Sequence, residues 1–224
     1  VKWIKKFNDE YNKKSIENKR VNALVTLTRK SLQYPKEIVD EYVKLGIKDV
    51  HLRFLNNLGV AKHAWNNLNY SVENYLDFWK KAVSYIDELN KQGIEINERM
   101  ASIMINKINN ETDPNYLDLR SPCGAAIGQL AYNFNGNIYT CDEARMLDED
   151  LFLLGTIDDK YKDVVSCDKA CAVVSSSIND QYMCDNCAYK PYCGICPVCN
   201  YEEQDNVIGK ISETDRCKIY MEQF

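Results

Sequence analysis

All ten cysteines of this 224-residue chain lie at or after Cys123, and five of them crowd into Cys184–Cys199, CDNCAYKPYCGICPVC. Such a chain has two chemically different parts. The cysteine-free part must fold by burial alone, whereas close cysteine pairs call for a partner. Residues 1–30 read as helix and strand rather than as an export signal. The expected setting is therefore the reducing cytoplasm, where dense cysteines serve metal ligation more often than disulfides.

The first part reads as alternating helix and strand. Trp3, Ile4, Phe7 and Tyr11 recur at helical spacing over 1–15. VNALVTLT (21–28) is nearly continuous in apolar residues and predicts a strand buried on both faces. Pro35 opens a helix over 35–45 that Gly46 ends. KDVHLRFL (48–55) is the next strand. Ser71 caps a helix over 72–92 with a stripe of Val72, Tyr75, Phe78, Trp79, Ala82, Val83, Ile86 and Leu89. IEINE (94–98) is a strand and 100–109 a short helix. The rhythm implies parallel strands with crossover helices.

After about residue 115 the rhythm stops. LAYNFNGNIYTC (130–141) predicts a β-hairpin around Asn135-Gly136. From Asp158 onward apolar residues are too few for an independent core, so metal is expected to hold that region. The net charge is −5, which offers no basic field to nucleic acid or an anionic membrane, and no apolar run is long enough to span a bilayer.

The cysteines run Cys123-x₁₂-Gly136-x₄-Cys141, then Cys184-x₂-Cys187-x₅-Cys193-x₂-Cys196-x₂-Cys199, then Cys217. Close pairs completed by remote single cysteines wrap a compact metal centre. Zinc does this with four thiolates around one ion. Iron–sulfur clusters also take four, around a larger core. The only histidines, His51 and His63, lie far upstream, which disfavours a mixed Cys/His zinc site.

This spacing resembles the SPASM domain of radical S-adenosylmethionine (SAM) enzymes. CAYKPYCGICPVCNY, NGNIYTCDEAR and TDRCKIYM are most similar to the His-Xaa-Ser system maturases, which modify ribosomally made peptides. The likeness is strong over 123–224, while 20–110 resemble the later strands of a radical SAM barrel. It implies an α/β chain: the C-terminal part of a radical SAM partial (β/α) barrel over 1–115, then a small cysteine-rich SPASM domain with a β-hairpin over 116–224.

The resemblance also implies two auxiliary [4Fe–4S] clusters. Cys184, Cys187, Cys193 and Cys217 would hold one; Cys123, Cys141 and Cys196 would hold the other. Its fourth ligand is Cys199, Cys167 or Cys171, or an open iron site, because Leu117 stands near the position of the family's extra cysteine. Cys193 and Cys196 enclose two residues where the common spacing has three. Cys167 and Cys171 otherwise read as free thiols. Arg29, Arg53 and Asn56, at or near strand ends, are the candidate SAM contacts, against surface ion pairing for the arginines. Asp142 beside Cys141 is the candidate proton acceptor, with Glu143 as alternative and a turn aspartate as the plain reading. The implied partners are a precursor peptide or protein and a reductant such as flavodoxin or ferredoxin.

Residues 1–122 contain no cysteine, so the Cys-x₃-Cys-x₂-Cys loop that binds the SAM-cleaving cluster is not in this chain. The expectation is a C-terminal portion of a radical SAM peptide maturase that does not cleave SAM by itself. The alternative is a non-enzymatic iron–sulfur or zinc-binding module for peptide recognition or electron relay.

Overall fold

A computed structural model describes residues 1–14, 21–110, 113–178 and 181–224. The chain divides into two units, one of Val1–Leu55 with Asn66–Ile105, the other of Asn56–Trp65 with Asn106–Phe224. The division thus falls earlier than residue 115, and a short excursion at 56–65 joins the second unit.

In the first unit, helix α1 (Lys2–Lys13) leads to strand β1 (Ala23–Thr26), helix α2 (Pro35–Lys44) and strand β2 (Asp49–Arg53). After α3 (Val60–His63), which belongs to the second unit, and the single-turn helix α4 (Trp65–Leu68) come the long helix α5 (Val72–Lys91), strand β3 (Asn97–Glu98) and helix α6 (Arg99–Asn109). The strands form a parallel sheet in the order β1-β2-β3, with Ala23 opposite Val50 and Asp49 opposite Asn97. Pro35 stands at the start of α2, where its missing N–H costs nothing. Ser71 caps α5 by accepting the Asn74 amide at 3.2 Å.

The α5 stripe buries Tyr75, Leu76, Phe78, Trp79, Ala82, Ile86 and Leu89, each large side chain adding roughly 1.5–3 kcal/mol. Tyr75 also donates to the Leu52 carbonyl at 3.0 Å, tying the helix to the central strand. Two-sided burial, expected of 21–28, is found instead in the central strand, where Val50, His51 and Leu52 are all buried. Strand β1 does not. Leu24 is 67% exposed, because β1 lies at the sheet edge. None of the residues of α1 is buried.

Among the described residues Glu98 is the one acid buried in this core, accepting the amides of Leu52 at 3.1 Å and Ala101 at 2.7 Å. Burial pushes its carboxyl above the ordinary 4.5, against those hydrogen bonds. The folded state therefore holds this proton more tightly than the unfolded chain. Glu98 contributes its full stability below about pH 4.5 and loses it as pH climbs to the raised value. Urea titrations across that range should show the wild type losing stability relative to Glu98→Gln. A constant difference between the two would contradict this.

The second unit carries an antiparallel sheet of β4 (Ala131–Tyr132), β5 (Asn137–Tyr139) and β6 (Leu153–Thr156). Between β4 and β5 the Gly136 amide donates to the Asn133 carbonyl at 3.0 Å. Gly136 sits at φ +88°, a conformation that glycine adopts freely. Around the sheet lie five helices: α7 (Asp142–Leu147), α8 (Tyr161–Val165), α9 (Asp168–Ser176), α10 (Pro197–Gln204) and α11 (Asp215–Gln223).

The region after Asp158, expected to lack an independent core and to rely on metal, shares a core with the residues before it, so burial holds it as well. Leu58, Tyr139, Ala144 and Phe152 pack with Val173 and Val198. A second cluster joins Ala126, Ile138 and Leu154 to Val164 and Ala170.

Candidate metal centres

Cys123 and Cys141 are fixed from different elements. The Cys123 amide donates to the buried Ser177 Oγ at 3.0 Å. Cys141 caps α7, its sulfur accepting the Ala144 amide at 3.4 Å. Both thiols belong to the apolar cluster around Phe152, with Cys196 packed against it. Cys196 and Cys199 open α10, and Cys199 is buried. Arg216 on α11 donates from Nη2 to Cys199 Sγ at 3.2 Å.

These four thiols act on one another electrostatically. Burial first, then Cys196, pushes Cys123 up to about 12. Burial and the same neighbour push Cys141 higher still. Cys196 is held down at about 7, chiefly by the thiol of Cys199 donating to it, with the Arg216 charge assisting; Cys199 is correspondingly raised.

A second group is separate. Burial raises Cys193 to about 12, with further contributions from Cys217, Cys184 and Cys187. Burial also raises Cys184 and Cys217, and Cys187 is a neighbour of both. The Thr214 hydroxyl accepts the Cys217 amide at 3.2 Å and so holds the start of α11.

Gly194 lies between the two groups, following Cys193 and preceding Ile195-Cys196. A Cβ on it would overlap the Asp118 carbonyl oxygen and sit 3.0 Å from the Arg120 nitrogen. The loop between the groups therefore rests directly on the backbone at 118–120. All ten cysteines are free thiols.

A soft, multi-thiolate metal group suits this donor set. Burial raises Cys123, Cys141, Cys184, Cys193 and Cys217, and a cationic centre would let such thiols ionise together. The buried Arg216 bonded to a sulfur also favours thiolates at that position. Among the described residues no three His, Cys, Asp or Glu side chains converge on a single metal ion.

The remaining expected residues are placed as follows. Arg29 follows the end of β1, and its guanidinium is engaged by the end of α4: Nε donates to the Asn69 carbonyl at 2.8 Å and Nη2 to the Asn66 carbonyl at 2.9 Å. Arg53 ends β2, and Asn56 falls in the second unit. Asp142 is the first residue of α7; Arg145 reaches its Oδ1 with Nη2 at 2.7 Å and Nε at 3.1 Å. The Asp142 side chain is 62% exposed.

Cys167 precedes α9 and packs against the other apolar cluster, around Ile138 and Val164; Cys171 is exposed. Leu117 lies against Gly124 and Gly128, filling the space beside Cys123. Sequence reasoning missed Arg216, whose one visible signal is its place next to Cys217.

No protein-family model matches the chain, and a search of curated proteins gave no match. Solved structures do match. Native anSMEcpe with bound AdoMet, an anaerobic sulfatase-maturating radical SAM enzyme, aligns at TM-score 0.73 and 18% identity, covering 98% of this chain and 57% of that one. A complex of the same enzyme with AdoMet and a peptide gives 0.71 and 18%, covering 98% and 58%. The chain thus shares the fold of a radical SAM enzyme and spans a little over half the length of these structures.

Proposed function

We propose that this chain is the C-terminal portion of a radical SAM enzyme that modifies a ribosomally made peptide or protein, closest to the His-Xaa-Ser system maturases. Two things support this reading: the mutual influences among eight cysteines, which fit two sets of four, and a fold shared with an AdoMet-binding enzyme that also binds a peptide. Cys123, Cys141, Cys196 and Cys199 hold one auxiliary [4Fe–4S] cluster; Cys184, Cys187, Cys193 and Cys217 hold the other. When bound, these clusters supply one-electron acceptors near the substrate.

Asp142 takes the substrate proton. It follows a ligand, Cys141, directly, and both Arg145 bonds fall on Oδ1. Arg145 keeps the carboxylate in one place while solvent reaches it, as a proton acceptor requires. Arg29, Arg53 and Asn56 remain the proposed SAM contacts.

Anaerobic reconstitution tests the reading. The wild type should bind close to two clusters, with acid-labile sulfide equal to iron. Cys187→Ala should lose one cluster and Cys141→Ala the other. One tetrahedral zinc per chain without sulfide would sink the reading. In the enzyme carrying its SAM-cleaving half, Asp142→Asn should lose about 10²–10⁴-fold in peptide modification with SAM cleavage intact. Unchanged turnover would leave Asp142 as a helix-start residue.

A further inference from the structure

The excursion at 56–65 follows strand β2 in the chain but belongs to the second unit. Contacts of several kinds hold it there. Leu58 is buried in the apolar cluster that contains Cys123, Cys141 and Val198. Gly59 lies against α7, where an added Cβ would meet Met146 Sδ at 3.4 Å. Asn57 donates from Nδ2 to Glu202 Oε1 at 2.8 Å, and Lys62 Nζ lies 3.7 Å from the same oxygen.

The Glu202 side chain is only 8% exposed, and a carboxylate at that depth needs donors fixed around it. Asn57 supplies one. The bond turns the Asn57 amide so that its Oδ1, also buried, meets no donor among the described residues. A buried acceptor without a donor is a cost, so the bond to Glu202 sets the direction of Asn57 against that cost. Glu202 stands one turn beyond Cys199 on α10, the helix that Cys196 and Cys199 open. One helix therefore carries two of the proposed ligands and the carboxylate that grips the neighbour of Asn56.

We propose that Glu202 is a positioning residue: through Asn57 it fixes the start of the 56–65 excursion, and with it Asn56, on α10. The inference rests on the reading of Asn56 as a SAM contact given above. A hydrogen bond to a carboxylate is stronger and better directed than one between neutral groups. Leu58 and Gly59 anchor the excursion by packing, which tolerates sliding, whereas the Asn57 bond fixes its register.

The test uses the whole chain, reconstituted anaerobically, as wild type, Glu202→Leu, Glu202→Gln and Asn57→Leu. Hydrogen exchange of the amides at 56–65 is read first. Both leucine variants should exchange there about tenfold faster or more, the loss expected for one hydrogen bond to a charged group. Glu202→Gln keeps an acceptor for Asn57 and should keep most of the protection. In the enzyme carrying its SAM-cleaving half, both leucine variants should raise KM for SAM about tenfold with kcat little changed. Asn56→Ala with an unchanged KM refutes the SAM-contact reading, and the exchange at 56–65 still decides whether Glu202 holds the excursion. Wild-type exchange in both leucine variants overturns the proposal. So does an unchanged KM in them where Asn56→Ala raises it. If Glu202→Leu fails to take up iron, Asn57→Leu decides, because it alters nothing on α10.

Discussion

Gly194→Ala is expected to abolish metal loading at both cysteine groups. The added Cβ would overlap the Asp118 carbonyl oxygen and fall 2.9 Å from its carbon, with the Arg120 nitrogen at 3.0 Å. Overpacking against side chains costs about 1–3 kcal/mol because side chains can turn aside. Here the obstacle is backbone, so the loop itself must move. Cys193 precedes Gly194 and Cys196 follows it by two residues, and the two cysteines belong to different groups. One displacement therefore misplaces a ligand of each. Gly128→Ala is the control: its Cβ would meet only the end of the Leu117 side chain, at 3.0 Å. That variant should load normally and lose about 1 kcal/mol. Iron per chain after reconstitution measures both. A Gly194→Ala protein that loads like the wild type would show that the loop can lift off 118–120 freely.

Legibility differed between the two halves for a physical reason. In the first unit, periodicity and caps act locally: Ser71 and the α5 stripe fix a helix whatever else happens, and the structure has it within a residue. What the stripe could not convey was which strand is central. VNALVTLT looks the more apolar of the two, yet KDVHLRFL supplies the central strand, and Leu24 is exposed where Leu52 is buried.

In the second unit the information is non-local. Strand β6 is four residues long and contains Gly155, so no window over LLGT signals a strand; it forms because Ile138 and Tyr139 offer it an edge. Cysteine spacing made the close pairs legible, but it left the neighbour of Cys123, Cys141 and Cys196 open. The structure brings Cys199 to that group and leaves Cys167 with the cluster around Val164. Arg216 was invisible because a lone arginine in TDRCKIYM reads as surface. Its burial follows from how α11 and α10 meet, with Cys199 receiving its proton.

Removing the metal is expected to open the segment 181–193 to chymotrypsin at Tyr189 and Tyr192. This segment carries Cys184, Cys187 and Cys193, and its residues are at most partly buried. Its backbone bonds are mostly local turns, such as the Cys187 amide to the Cys184 carbonyl at 3.1 Å and the Cys193 amide to the Tyr189 carbonyl at 3.0 Å. The rings of Tyr189 and Tyr192 lie 6.1 and 5.6 Å from that of Phe224. Ordering each residue costs about 1–2 kcal/mol of backbone entropy, and so little burial does not offset it. Thiolate–metal binding, worth about 10–16 kcal/mol in small zinc domains, is large enough to do so. Phe152 and Tyr139, deep in the apolar cluster, should stay protected with or without metal. Phe134, 98% exposed between β4 and β5, should be cut in both states and serves as the internal standard. Mass spectrometry of early fragments should show cleavage after Tyr189 and Tyr192 at least about tenfold faster once a chelator has removed the metal, the ratio expected where about 1.4 kcal/mol or more of local order is lost. Equal rates in the two states would mean that the turns and the Phe224 contacts hold the segment by themselves.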